Sequence, residues 1–320
     1  DKVGKNKIYS DYISYNLNKN IIISKNNSRA ISQDNKIEIT AKNFEYDRSK
    51  NIITAEENVF VNDKVGKNKI YSDYISYNLN KNIIISKNNS RAISQDNKIE
   101  ITAKNFEYDR SKNIITAEEN VFVNDKVGKN KIYSDYISYN LNEDIIATEG
   151  KTSGLIQSKY NFDTTDLILD NKRKELMSKK QTNIQNKNNL YKLNNFKYSI
   201  NSKVIAGNNA LIITNYNLPK SDKLYFSSVI INLEKFNFIG KDTEISLHKD
   251  IFDNTQNDPR LKGVSSVKSG ELTVINKGIF TTCNKDKKCP PWAIKAEKIT
   301  HDKKNKKLIY DNATLKIFDV

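Results

Sequence analysis

Ile39-Thr-Ala-Lys-Asn-Phe-Glu-Tyr-Asp-Arg-Ser-Lys-Asn-Ile-Ile-Thr-Ala-Glu-Glu-Asn-Val-Phe-Val61 decides the fold. Ile39, Ala41, Phe44, Tyr46, Ile53, Ala55, Val59 and Val61 mostly stand two apart with polar residues between them. That is the period of a half-buried antiparallel strand. The step from Ala41 to Phe44 is three residues and breaks the alternation, so a bulge or bend is expected there. Tyr46-Asp-Arg-Ser-Lys-Asn51 is polar and rich in residues that tolerate left-handed backbone, so it reads as a hairpin turn. The β-branched and aromatic content and the lack of steady three-and-four spacing argue against a helix.

Thirty-one residues upstream the same pattern recurs, with Ile8, Ser10, Ile13, Tyr15, Ile22, Ser24, Ser28 and Ala30 at the matching places. In this alignment large residues stay large and small ones stay small at most positions. The two halves form a 62-residue unit: Asp1–Asn62 returns unchanged as Asp63–Asn124, and a third copy runs verbatim from Asp125 to Asn142. Repeats of this kind signal units that each cover a neighbour's apolar face. Beyond the verbatim copies, the hairpin survives at Leu167–Leu176, Phe196–Ala206 and Ile299–Leu308. With only 10 glycines and 4 prolines, Asn, Asp and Lys must carry most turns. His248–Gly270, containing Asp258-Pro-Arg-Leu-Lys-Gly263, and Cys283–Trp292 read as loops, and a subdivision is expected near residue 248.

The chain of 320 residues is polar, with mean hydropathy −0.70 and a formal net charge of +15, yet 37% of it is hydrophobic. Order with a thin core is expected. The excess charge would suit a polyanion, but lysines in turns also describe a solvated basic surface. Aromatic residues fall on the apolar stripe rather than among the lysines, which argues against nucleic acid. No run approaches the length of a membrane helix and no signal peptide opens the chain, so it reads as a fragment of something longer.

Catalysis finds no constellation. His248 and His301 stand in unlike contexts, Glu56-Glu57 reads as a solvated strand edge, and no phosphate loop, nucleophile elbow or HExxH motif occurs. Cys283 and Cys289 lack companions at zinc-ligand spacing, so no metal or cofactor is expected. The two cysteines pair locally, bond outside this segment, or remain thiols. The inward stripe is either the dry core of a sandwich or the lining of an open groove. Its candidate residues are Ile39, Phe44, Tyr46, Ile53, Val59 and Val61 with their copies, and Phe196, Tyr198 and Ile205.

The repeated strand units are followed by Asp258-Pro-Arg-Leu-Lys-Gly263, Phe280-Thr-Thr-Cys283, Cys289-Pro-Pro-Trp-Ala-Ile-Lys-Ala296, His301-Asp and Ala313-Thr-Leu-Lys-Ile317. Together they resemble the periplasmic N-terminal region of the LptD lipopolysaccharide-assembly family, also called OstA or organic solvent tolerance. The resemblance implies an all-β, open, taco-shaped jelly-roll, here elongated by the tandem duplication. Residues 1–247 would form the repeat jelly-roll, and 248–320 its end, with a cysteine-containing loop leading toward a C-terminal barrel outside this chain. The implied function is a non-catalytic conduit that takes lipopolysaccharide from an LptA-like bridge through edge-strand pairing and passes it to an outer-membrane barrel plugged by an LptE-like lipoprotein. The implied location is the periplasmic face of the outer membrane. Cys283 matches the family's N-terminal-domain cysteine that bonds to the barrel, and Cys289 is additional. The competing readings are an LptA-like bridge and a repeat adhesin without lipid transport.

Overall fold

The computed structural model describes residues 6–32, 36–94, 96–252, 257–284 and 291–318. Apart from one 3-10 turn at Lys249–Phe252, every regular element among them is a strand. The first eleven are β1 (Asn6–Tyr9), β2 (Tyr12–Asn16), β3 (Ile21–Ser32), β4 (Ile37–Asp47), β5 (Ile52–Asp63), β6 (Asn68–Asn78), β7 (Ile83–Ser94), β8 (Ile99–Asp109), β9 (Ile114–Asp125), β10 (Asn130–Asn140) and β11 (Ile145–Ile156). The rest are β12 (Tyr160–Thr165), β13 (Ile168–Asp170), β14 (Glu175–Ser178), β15 (Thr182–Gln185), β16 (Asn189–Ser199), β17 (Val204–Thr214), β18 (Lys223–Asn232), β19 (Asn237–Ser246), β20 (Arg260–Ser269), β21 (Leu272–Thr281), β22 (Trp292–Asp302) and β23 (Lys307–Ile317).

They fall into two compact units. The first runs through Ser158 and includes Asp166–Arg173; the second comprises Lys159–Thr165 and the chain from Lys174 onward. The subdivision expected near residue 248 falls inside the second unit.

In the first unit each long strand pairs antiparallel with the next, in the register the 31-residue offset implies. Tyr46 lies opposite Ile22 on one side and Ile53 on the other, and Ile39 lies opposite Val61. Every turn on one side ends in a left-handed residue: Asn20, Asn51, Asn82, Asn113 and Asp144, with φ of 56–60°. The side-chain oxygen of each accepts from the tyrosine five residues before it, as in Tyr46 Oη to Asn51 Oδ1 at 2.8 Å and Tyr77 Oη to Asn82 Oδ1 at 2.8 Å. Asn and Asp thus supply a left-handed turn and also pair a buried hydroxyl.

The expected bend between Ala41 and Phe44 is present, because the register of β4 against β5 shifts between Thr40 and Asn43. The extra residues, however, lie on the neighbouring strands. Asn26 and Asn27 on β3, and Glu57 and Asn58 on β5, have φ of 48–62°. On β4 the inward face changes parity across the step, from Ile37, Ile39 and Ala41 to Phe44 and Tyr46. Each strand therefore crosses a crease with two apolar limbs. Small residues line the crease, where the limbs converge: Ser24 Oγ donates to Ser28 Oγ at 2.9 Å, and Ser86 with Ser90 and Thr148 with Thr152 repeat the pair. The limbs fold toward each other, since Tyr108 at the turn end of β8 reaches Asp63 at the loop end of β5 at 3.1 Å. The result is a β-jelly-roll creased along its length.

Identical sequence shows what a neighbouring strand is worth. Ile13 on β2 is 49% exposed, whereas Ile75 and Ile137, its copies on β6 and β10, are 0% exposed. Burying such a side chain stabilises by about 1.5–3 kcal/mol.

In the second unit β16 to β23 form successive antiparallel pairs, and the hairpins at Phe196–Ala206 and Ile299–Leu308 close with Ser199 opposite Val204 and Asp302 opposite Lys307. The tips approach here too: Tyr160 Oη donates to the Leu233 carbonyl at 3.2 Å. Asp258–Gly263 departs from the loop reading, because Arg260 onward is strand β20. Leu261 is fully buried between Ile245 and Phe280. Pro259 precedes the strand and so removes no ladder donor.

Candidate functional site

Where the limbs of the first unit end, they leave a cavity of about 640 Å³. Ala30, Ile37, Ile39 and Ile53 form its floor, and Lys36, Asn51, Asn82 and Asn113 stand at its rim. The volume is that of a small-molecule pocket. The floor is tight: Ile37, Ile39 and Ile53 are 5%, 2% and 3% exposed.

One end of the cavity is closed by a buried ion pair that joins the two rims. Arg110 Nε donates to Asp63 Oδ2 at 2.7 Å and Nη2 to Oδ1 at 3.2 Å, a two-pronged contact. The side chains are 12% and 2% exposed. The backbone N–H groups of Val65 and Gly66 each donate to Asp63 Oδ1 at 3.1 Å, and Tyr108 Oη donates to Oδ2. Arg110 Nη1 in turn donates to Tyr77 Oη at 2.8 Å and Asn82 Oδ1 at 2.7 Å. Burial alone would raise the Asp63 carboxyl, but the Arg110 guanidinium and the Gly66 N–H outweigh it and hold the group below the usual carboxylate range. Burial and the adjacent Asp63 charge both push the Tyr108 hydroxyl up, so it stays a neutral donor. A Cβ at Gly66 would collide with the Tyr108 hydroxyl, so only glycine lets the loop approach the turn this closely.

Of the residues singled out from sequence, Ile39 and Ile53 line this cavity. Phe44, Tyr46, Val59 and Val61 are buried on the same limbs but do not line it, while Phe196, Tyr198 and Ile205 are 1%, 0% and 0% exposed in the second unit. Of the inward copies, Tyr77 and Tyr108 reach the cavity. Cys283 is a free thiol, its Sγ 3.7 Å from the Trp292 carbonyl, and Cys289 lies outside the described residues. Asp63, Gly66 and Arg110 are the residues that sequence reading missed. Asp63 opens the second copy and Arg110 sits in a turn, so strand periodicity flags neither.

Residues 38–145, which span most of this creased sheet, match the family described as LptA/(LptD N-terminal domain) LPS transport protein. The segment is similar to LptA and to the N-terminal domain of LptD over about a third of the chain. It holds Asp63, Arg110 and the floor residues Ile39 and Ile53, while Ala30 and Ile37 lie just before it. Among solved structures, the crystal structure of LptH from Pseudomonas aeruginosa, the LptA-homologous periplasmic component of its lipopolysaccharide transport device, is similar at 14% identity and a TM-score of 0.34. That match covers 37% of this chain and 85% of LptH. No curated protein matches the chain.

Proposed function

We propose that the protein is a non-catalytic conduit for lipopolysaccharide at the periplasmic face of the outer membrane, taking the lipid from an LptA-like bridge and handing it to an outer-membrane barrel held by an LptE-like partner. The observation that carries this reading is an apolar floor beneath a polar, lysine- and asparagine-bearing rim, most of whose asparagines, with Ile39 and Ile53 of the floor, lie in the segment that matches the LptA/LptD N-terminal family. A twelve-carbon acyl chain in water costs on the order of 10 kcal/mol, at about 0.8 kcal/mol per methylene. A carrier must therefore present a continuous apolar track, and inward Ile and Tyr recur every 31 residues, with Phe and Val every 62, along the crease. Cations at the rim suit the lipid's phosphates.

Handover needs open strand edges, which accept a partner's strand through main-chain hydrogen bonds. β2 exposes Tyr12, Ile13 and Tyr15, and β23 exposes Ile309, Leu315 and Ile317. The family description covers LptA as well as the LptD N-terminal domain, which keeps a bridge-like role as the second reading. The test is a photo-crosslinking residue in place of Ile39, Phe44, Phe196 or Lys42 in cells making lipopolysaccharide. Capture at the first three and none at exposed Lys42 is expected. Equal capture at all four would refute the interior track.

A further inference from the structure

We propose that the groove carries a latch: Asp63, the first residue of the second copy, and Arg110, 47 residues later in the same copy, clip the loop rim to the turn rim and set how often the cavity opens sideways. The inference deepens the lipid-conduit reading and rests on it for what enters. The latch itself rests on geometry alone.

The contact reaches across three strands, from the end of β5 to the end of β8. The equivalent carboxylate in the third copy, Asp125, has the divergent turn opposite, where Asn171 aligns with Arg110. Asn171 Nδ2 donates to Asp144 at 2.9 Å instead. Asp125 accepts from its own loop, from the Gly128 N–H at 2.8 Å and Asn130 Nδ2 at 2.7 Å. Arg48, the first-copy equivalent of Arg110, binds Tyr15 Oη and Asn20 Oδ1, and its counterpart Asp1 lies outside the described residues. The clip at Asp63 thus forms where an arginine stands opposite the carboxylate, and is replaced at Asp125 where an asparagine does.

The latch also answers a steric problem. Floor residues are no more than 5% exposed, so little of the apolar floor meets an incoming lipid while the rims are clipped. Lipid entry requires the limbs to part, and a charged pair between the tips is what must separate first. Isolated from water, it resists separation far more than a surface pair does.

The test uses the full chain with Cys283 and Cys289 replaced by Ser and a single reporter, Ile39→Cys in the cavity floor or Ile205→Cys in the second unit. Modification by a small maleimide is timed with and without Arg110→Gln, and circular dichroism monitors the fold. Arg110→Gln should speed labelling at position 39 by about a hundredfold, the population shift expected for breaking a buried pair, and leave position 205 unchanged. Should that variant fail to fold, Arg110→Lys, which keeps the charge but loses the fork, should speed labelling by about tenfold. Equal rates at position 39 with and without the substitution, or equal acceleration at 205, would overturn the latch. Lipopolysaccharide capture by a photo-crosslinker at Ile39 is read separately. Faster labelling without capture leaves the latch standing and refutes the lipid reading, whereas capture with unchanged labelling does the reverse.

Discussion

Tyr198 offers the sharpest test of how the turns work, because it is a copy of the repeat tyrosine that has lost its partner. Tyr15, Tyr46, Tyr77, Tyr108 and Tyr139 each donate to an Asn or Asp five residues later. At Tyr198 that position is Lys203, which has φ of 60° but offers no acceptor, and the Tyr198 hydroxyl is fully buried without a hydrogen bond. A buried, unpaired hydroxyl costs about 1–3 kcal/mol. Tyr198→Phe should therefore stabilise the second unit by about 1 kcal/mol, although it deletes a polar group. Lys203→Asn should gain a similar amount by supplying the acceptor in a conformation Asn tolerates. In that background Tyr198→Phe should change sign and cost about 1 kcal/mol. The assay is urea unfolding followed by fluorescence of Trp292, the one tryptophan in the chain, which lies in the second unit. A loss of stability in Tyr198→Phe alone would refute the reasoning, since it would mean that the hydroxyl is already satisfied.

Ile75→Ala should cost about 2–5 kcal/mol, while the same change at Ile13, in identical local sequence, should stay within about 0.5 kcal/mol, as read by thermal unfolding. Gly66→Ala should drive the loop away from Tyr108 and accelerate labelling of Ile39→Cys as Arg110→Gln does, whereas Gly150→Ala, with open space around it but φ of 75°, should only lower the melting temperature. The carboxyl of Asp63 is held below its ordinary value, so its stabilising contribution is complete above about pH 4 and lost as pH falls through the depressed folded value. The gap in melting temperature between the native chain and Asp63→Asn should accordingly be constant from pH 7 to about pH 5 and close in stronger acid. Deleting Asp63–Asn124 should leave a folded chain by circular dichroism, because Asp125 then follows Asn62 in unbroken register.

Much of the fold was legible because strand pairing here is local. Alternation at Ile39, Ala41, Phe44 and Tyr46, and the polar turn closing on Asn51, set strand, turn and register within about 25 residues, and the 31-residue offset propagated them. The crease was legible in β4 as a broken alternation, but the residues that absorb it, Asn26, Asn27, Glu57 and Asn58, lie on its neighbours. There the inward positions Ala55 and Val59 stay four apart, so parity gives no warning. Arg260-Leu-Lys-Gly263 was misread because Pro259 and Gly263 resemble turn punctuation, whereas Gly263 gives room to Ile275 on the next strand. The ion pair was illegible for a different reason. It joins residues 47 apart on opposite limbs, and only the folding of the crease brings them together.

Exact repetition does not produce equivalent sites. Asp63 and Asp125 follow the same sequence and open the same loop, yet one meets an arginine from three strands away and the other meets its own asparagine. The difference comes from what lies about 46 residues downstream, where Arg110 has diverged to Asn171. In a creased sheet each rim residue is thus read against a partner about 47 residues downstream, so a copy brings length and its cross-rim pairing depends on the turn that faces it. The added strands lengthen the apolar track by roughly 4.8 Å for each strand along a limb. The cross-rim pairing is proposed to govern access to that track, and length and access are separable, since Arg110→Gln removes the pairing and leaves the length intact.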